Sequence, residues 1–195
     1  GWNDIGDYEI GQTVPYRYRT AVPNMNGYHS YYMAFQDKMD EALTFDPSSV
    51  QITISDGTKT YTLANSEFTV AENVKGLTFE AAIANLKAIV DREFPGGMNT
   101  NGENTYGQSI EVTYNATLND KAADQTGRPG FENTVRLEFS NNPDSDGTGD
   151  TGFTPWDTVV AFTYKIDGLK INNHDKVLEG AKFRLYSDAD CQNEV

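Results

Sequence analysis

A two-residue period of apolar side chains, repeated along most of this 195-residue chain, narrows the possible folds more than any other feature. Successive side chains of an extended strand point to opposite faces, so such alternation builds strands with one face turned to a core. Val14, Tyr16, Tyr18, Thr20 and Val22 share one face and Arg17 and Arg19 take the other, before turn chemistry at Pro23-Asn24 and Asn26-Gly27. Tyr31, Met33, Phe35, Asp37 and Met39 repeat the pattern. Val50, Ile52 and Ile54 lead through Asp56-Gly57 to Thr60–Leu63, a hairpin signal, and Ser66–Val70 adds a further candidate strand. Ile110, Val112, Tyr114, Ala116 and Leu118 alternate again, as do Val135, Leu137 and Phe139. Thr158–Ile171 reads as a long strand and Ala181–Tyr186 as a shorter one. The expected fold class is mainly β.

One stretch departs from the pattern. Phe79, Ile83, Leu86, Ile89, Val90 and Phe94 fall at helical spacing, with Thr78 as N-cap, Glu80 in the first turn and Pro95-Gly96-Gly97 as the stop. This predicts a single inserted helix over 78–94. Asn141–Thr154, rich in Gly, Pro and Asp, reads as a polar linker, so residues 1–158 form one domain and 159–195 the beginning of another.

Composition excludes several classes. A net charge of −14, with only 15 Lys and Arg and no basic run, is unsuited to phosphate backbones, so no nucleic-acid partner is expected. The single cysteine, Cys191, allows neither an internal disulfide nor a thiolate metal site. No apolar run approaches 18 residues, and neither a signal peptide nor a C-terminal anchor is visible, so no membrane segment is expected in this stretch. The chain opens abruptly at Gly1-Trp2 and stops at Glu194-Val195, as though cut from a longer one.

Three polar residues fall in phase with apolar faces: Asp37 with Tyr31, Met33, Phe35 and Met39; Asn133 with Val135, Leu137 and Phe139; Lys170 with Phe162, Tyr164 and Ile166. Burying an amide without a partner costs roughly 2 to 7 kcal/mol, so each needs a partner or an altered protonation state. One explanation is a strand end or a slip of phase that returns the side chain to solvent. The other is an amide cross-link between a lysine amine and the Asn carboxamide, assisted by an acid. In an apolar pocket the lysine pKa falls and the amine becomes nucleophilic, while a carboxyl pKa rises and the acid stays protonated beside the Asn carbonyl. Ammonia leaves, and the bond replaces the missing disulfides.

Longer motifs narrow the choice. Ile10-Gly11-Gln12-Thr13-Val14-Pro15-Tyr16 with Ala21-Val22-Pro23, then Phe35-Gln36-Asp37-Lys38-Met39 through Leu43-Thr44-Phe45, resemble the opening of the middle domain of major pilins of sortase-assembled Gram-positive pili. Glu111–Asn119 and Asn133–Pro143 resemble that domain's last strands. Thr154-Pro155-Trp156-Asp157, Val160–Lys165 and Leu178–Tyr186 resemble the start of a Cna B-type domain. The resemblance implies immunoglobulin-like β-sandwich modules of a structural pilus shaft, extracellular and wall-attached, linked to other pilin subunits by sortase. It implies no enzyme beyond autocatalytic isopeptide formation, and no cofactor or metal. Asn133 matches the family's amide acceptor, Asp37 its assisting acid, and Lys170 the amine donor of the second module. The first module's donor belongs on the opening strand, yet no Lys precedes Lys38, which puts it upstream of Gly1 or leaves it absent.

Competing functions have thinner support. His29 and His174 have neither a nucleophile elbow nor a Cys partner, so a hydrolase is disfavoured. Asp144, Asp146 and Asp150 depart from EF-hand spacing and read as a solvated linker rather than a calcium loop. The serious alternative is an adhesin module that holds a host glycan or matrix protein, with Tyr28, Tyr31 and Tyr32 as candidate contacts, of which alternation assigns Tyr31 to the core.

Overall fold

The computed structural model describes residues 5–96, 105–125, 130–145 and 149–163, with Asp190 and Gln192. The chain divides into two compact units, Gly1–Thr163 and Tyr164–Val195. Lys170, His174, Cys191 and the candidate strand Ala181–Tyr186 lie outside the described residues.

The first unit is a β-sandwich. One sheet holds β1 (Ile5–Asp7), β3 (Met33–Met39), β6 (Thr69–Glu72), β7 (Phe79–Ile83), β9 (Phe131–Ser140), β10 (Thr151–Phe153) and β11 (Asp157–Phe162). Its order is β1-β11-β9-β3-β7-β6, with β10 on the edge of β9 beside β11. The other holds β2 (Thr13–Ala21), β4 (Leu43–Ser55), β5 (Thr60–Thr62) and β8 (Ser109–Leu118), in the order β2-β8-β4-β5. The pairings are antiparallel except for β1 with β11.

The alternation places the core as expected. Val14 and Tyr16 of β2, Ile52 and Ile54 of β4, and Ile110, Val112, Tyr114, Ala116 and Leu118 of β8 turn inward from one sheet. Met33, Phe35, Phe79, Ile83 and Leu137 meet them from the other. The Asp56-Gly57 turn closes the β4–β5 hairpin, with Gly57 at φ +91° and the Asp56 Oδ1 accepting from the backbone N–H groups of Thr58 and Lys59.

The helix is shorter than the periodicity predicts. Residues 79–83 form β7, paired with β3 and β6, and only α1 (Leu86–Glu93) is α-helical. Phe79, Ala81 and Ile83 also satisfy a period of two, and sheet pairing on both sides of β7 outweighs the helical reading. The cap is Asn85, whose Oδ1 accepts from the Ala88 N–H; the Thr78 hydroxyl instead accepts from the Met39 N–H. The sandwich also takes residues that sequence analysis assigned to the following domain. β11 ends at Phe162 and pairs with β9 and β1, so residues 159–162 complete the first sheet, and the two units divide after Thr163. No helix among the described residues is long and apolar enough to cross a membrane.

Candidate functional site

Strand register brings Asp37 and Asn133 together. Asp37 of β3 stands opposite Val135 of β9, and Met39 stands opposite Asn133. Positions two apart on a strand share a face, so Asp37 and Asn133 are diagonal neighbours on the inner face of this sheet. Both are buried, at 0% and 2% exposure, in the middle of an apolar sandwich.

The facing sheet supplies a third residue that sequence analysis placed in the core without a role. Tyr114 of β8 donates its hydroxyl hydrogen to Asp37 Oδ2 at 2.6 Å and accepts from Asn133 Nδ2 at 3.0 Å. Aromatic packing fixes its ring, stacked on Tyr16 at 5.4 Å and edge-on to Phe79 at 5.1 Å. Tyr16 is its cross-strand partner on β2. On the β4 side the register jumps from Asp46 opposite Asn115 to Gln51 opposite Thr113, leaving Pro47–Val50 to bulge across from Tyr114. Bulges re-aim the strands beside them and cluster next to working sites.

Burial drives the Asp37 carboxyl up to about 7, while hydrogen bonds from Tyr114 and the neighbouring Asn133 amide pull the other way. The Tyr114 phenol is pushed far above its ordinary range by burial first and by Asp37 second; Tyr16 moves upward for the same two reasons in the same order. Asp37 Oδ1, Asn133 Oδ1 and the Tyr16 hydroxyl are buried and find no hydrogen-bond partner among the described residues. Asn133, Tyr16 and Tyr114 line a cleft of about 150 Å³ between β2 and the β9–β11 edge.

The described lysines all lie away from this cluster. Lys59, Lys75, Lys87 and Lys121 pair with Glu93, Glu80, Asp91 and Glu41, respectively, and Lys38 is exposed, one residue along β3 from Asp37 and so on the opposite face. Tyr31 and Tyr32 are buried, Tyr28 is half-buried with its ring edge-on to Tyr31, and His29 is exposed. The tyrosine trio therefore forms no exposed aromatic patch. In the linker, the Asp150 carboxylate accepts from Asn142 Nδ2. Among the described residues no group of three or more His, Cys, Asp or Glu side chains could hold a metal ion.

The architecture is an immunoglobulin-like β-sandwich, a fold shared with pilus backbone domains. No protein-family model matches the chain, and no curated protein does. Solved structures of similar fold include backbone subunits of Gram-positive pili, and collagen-binding domains match with lower scores. The full-length major pilin RrgB of Streptococcus pneumoniae matches with a TM-score of 0.51 and 23% identity, covering 72% of this chain and 20% of RrgB. The pilus 2b backbone protein of group B streptococcus matches at 0.51 and 19%, covering 80% of this chain and 53% of that one. The collagen-binding subdomain of the Enterococcus faecalis surface protein ACE matches at 0.46 and 15%, covering 83% and 94%. This chain thus spans about half or less of the pilus proteins it matches.

Proposed function

We propose that this chain is part of the shaft subunit of a cell-surface pilus, and that an isopeptide bond between Asn133 and a lysine ε-amino group, with Asp37 as assisting acid, staples its first unit. The observation that carries this reading is the burial of a carboxyl and a carboxamide side by side in an apolar core, bridged by one tyrosine hydroxyl, with an oxygen of each left unpaired. Such groups are costly to bury, and a site that uses them chemically accounts for their presence. A carboxyl titrating near neutrality can hold a proton beside the amide at physiological pH. The neutral amine attacks Asn133 Cγ, the tetrahedral centre collapses, and Nδ2 departs as ammonia.

The cleft beside Asn133 supports entry of the amine. A cavity of about 150 Å³ accepts a benzene-sized group, and the unbranched lysine side chain is of comparable bulk. The described lysines do not enter it, so the donor belongs elsewhere in the full-length protein. The fold shared with pilus backbone proteins supports the setting: an extracellular, wall-attached fibre of subunits joined by sortase. Lys170 would serve as donor in the second unit.

The test is the intact mass of the full-length protein under denaturing conditions. Loss of one ammonia per cross-link is expected, with one loss abolished by Asn133→Ala. An unmodified wild-type mass overturns the staple and advances the adhesin alternative.

A further inference from the structure

Any amide exchange at Asn133 must solve a proton problem at the nitrogen that leaves. An amide nitrogen is a poor leaving group until it is protonated, and it becomes basic only once the carbon turns tetrahedral. The Tyr114 hydroxyl oxygen accepts from Asn133 Nδ2 at 3.0 Å, and the same hydroxyl lies 2.6 Å from Asp37 Oδ2. Asn133 Oδ1 and Asp37 Oδ1 have no hydrogen-bond partner among the described residues. Tyr114 therefore holds the amide by its nitrogen end and the acid by one oxygen.

We propose that Tyr114 is a catalytic residue of the cross-linking reaction, carrying a proton from Asp37 to the departing Asn133 Nδ2. This rests on the isopeptide reading above and goes beyond it, because the acid there needs no intermediary. Before attack the amide N–H donates to the tyrosine oxygen, and the tyrosine O–H donates to the carboxyl. When the lysine Nζ–Cγ bond forms, Nδ2 pyramidalises and gains a lone pair; the tyrosine O–H turns to it, and the Asp37 carboxyl turns to present its own O–H to the tyrosine oxygen. The tyrosine proton passes to Nδ2 as the Cγ–Nδ2 bond breaks, and the proton of Asp37 replaces it on the tyrosine oxygen. The carboxylate then takes the surplus proton from the attacking nitrogen, so one proton moves from amine to leaving ammonia, and Asp37 and Tyr114 end as they began.

The position is built for this. Tyr114 is 4% exposed, its ring is held by Tyr16 and Phe79, and β4 bulges across from it on its own sheet. A phenol used only for packing needs no second contact to a reacting nitrogen, and Phe would fill the same ring space.

The experiment is cell-free synthesis of the full-length protein, quenched in denaturant at timed intervals and read by mass for ammonia loss at Asn133. Tyr114→Phe is expected to slow cross-linking about 100-fold, the lower end of general acid catalysis, while the chain still folds. Incorporating 3-fluorotyrosine, a more acidic phenol of the same shape, restores the reaction. A proton inventory in mixed H₂O and D₂O keeps the proposal open to refutation even where the Phe variant misfolds: a relay of two protons gives a bowed plot. A linear plot for the wild type, or cross-linking of Tyr114→Phe at the wild-type rate, overturns the relay and leaves Asp37 acting directly. A wild-type chain with no ammonia loss overturns both the relay and the isopeptide reading.

Discussion

Replacing Asp37 by Asn removes a buried titration while keeping shape and an acceptor for the Tyr114 hydroxyl. The carboxyl titrates at about 7 in the fold and at an ordinary aspartate's 3.8 in the unfolded chain. A folded-state value raised above the unfolded one means that the folded chain holds the extra proton between the two. Stability from this group is fully present below about 3.8 and is lost as pH rises through 7. Applying linkage to that displacement, folding loses about 4 kcal/mol between pH 4 and pH 8 through Asp37 alone. Asp37→Asn lacks this loss, so its stability relative to wild type should improve by about 4 kcal/mol over the same interval. The assay is urea unfolding of both chains at pH 4, 5, 6, 7 and 8, on protein whose mass shows no ammonia loss. Taking the difference cancels every other titrating group whose surroundings the substitution leaves alone. A gap that stays flat across the series would refute the argument, since it would mean that the carboxyl is hydrated in the folded chain and that its burial has no chemical consequence.

Two further substitutions probe the sheet that carries the site. Gly130 sits at φ +101°, and a Cβ there would clash with Val160 Cγ1 and lie 2.9 Å from the Ala161 carbonyl oxygen. Gly130→Ala should cost about 1 to 3 kcal/mol and push β11 off β9, seen as faster hydrogen exchange in Asp157–Phe162 with β8 unchanged. Arg136 places its guanidinium over the rings of Phe153 and Trp156, at 4.2 and 4.6 Å from their centroids, and donates from Nε to the buried Gln36 Oε1. Arg136→Ala should destabilise the unit by about 2 kcal/mol in denaturant unfolding, mostly by orphaning that oxygen, and Arg136→Lys should recover less than half, because an ammonium offers no planar face to the two rings.

The strands that could be read from the sequence are those whose faces differ in burial. β8 does so most clearly, alternating over its 10 residues between a core and an outer face, so one residue of slip would be visible. β1 and β10, at three residues each, have no pattern of their own and exist because β11 and β9 offer them an edge. β7 was hidden for a different reason. Phe79 and Ile83 are spaced by four as well as by multiples of two, and the helical run that follows absorbs them; Asn85, a better cap than Thr78, was the local signal that the helix starts later.

The site divides along the same line. Asp37 and Asn133 were legible because a polar residue in phase with a buried stripe contradicts its surroundings, and that contradiction is local to each strand. Tyr114 contradicts nothing: a tyrosine in phase with Ile110, Val112, Ala116 and Leu118 is an ordinary core residue until a partner for its hydroxyl is known. That partner is 77 positions away on the opposite sheet. Its approach depends on the β3–β9 register that makes Asp37 and Asn133 diagonal neighbours and on the sheets packing β8 over them. A strand's phase therefore identifies groups that are expensive to bury, whereas the packing of two sheets decides which of them can exchange a proton.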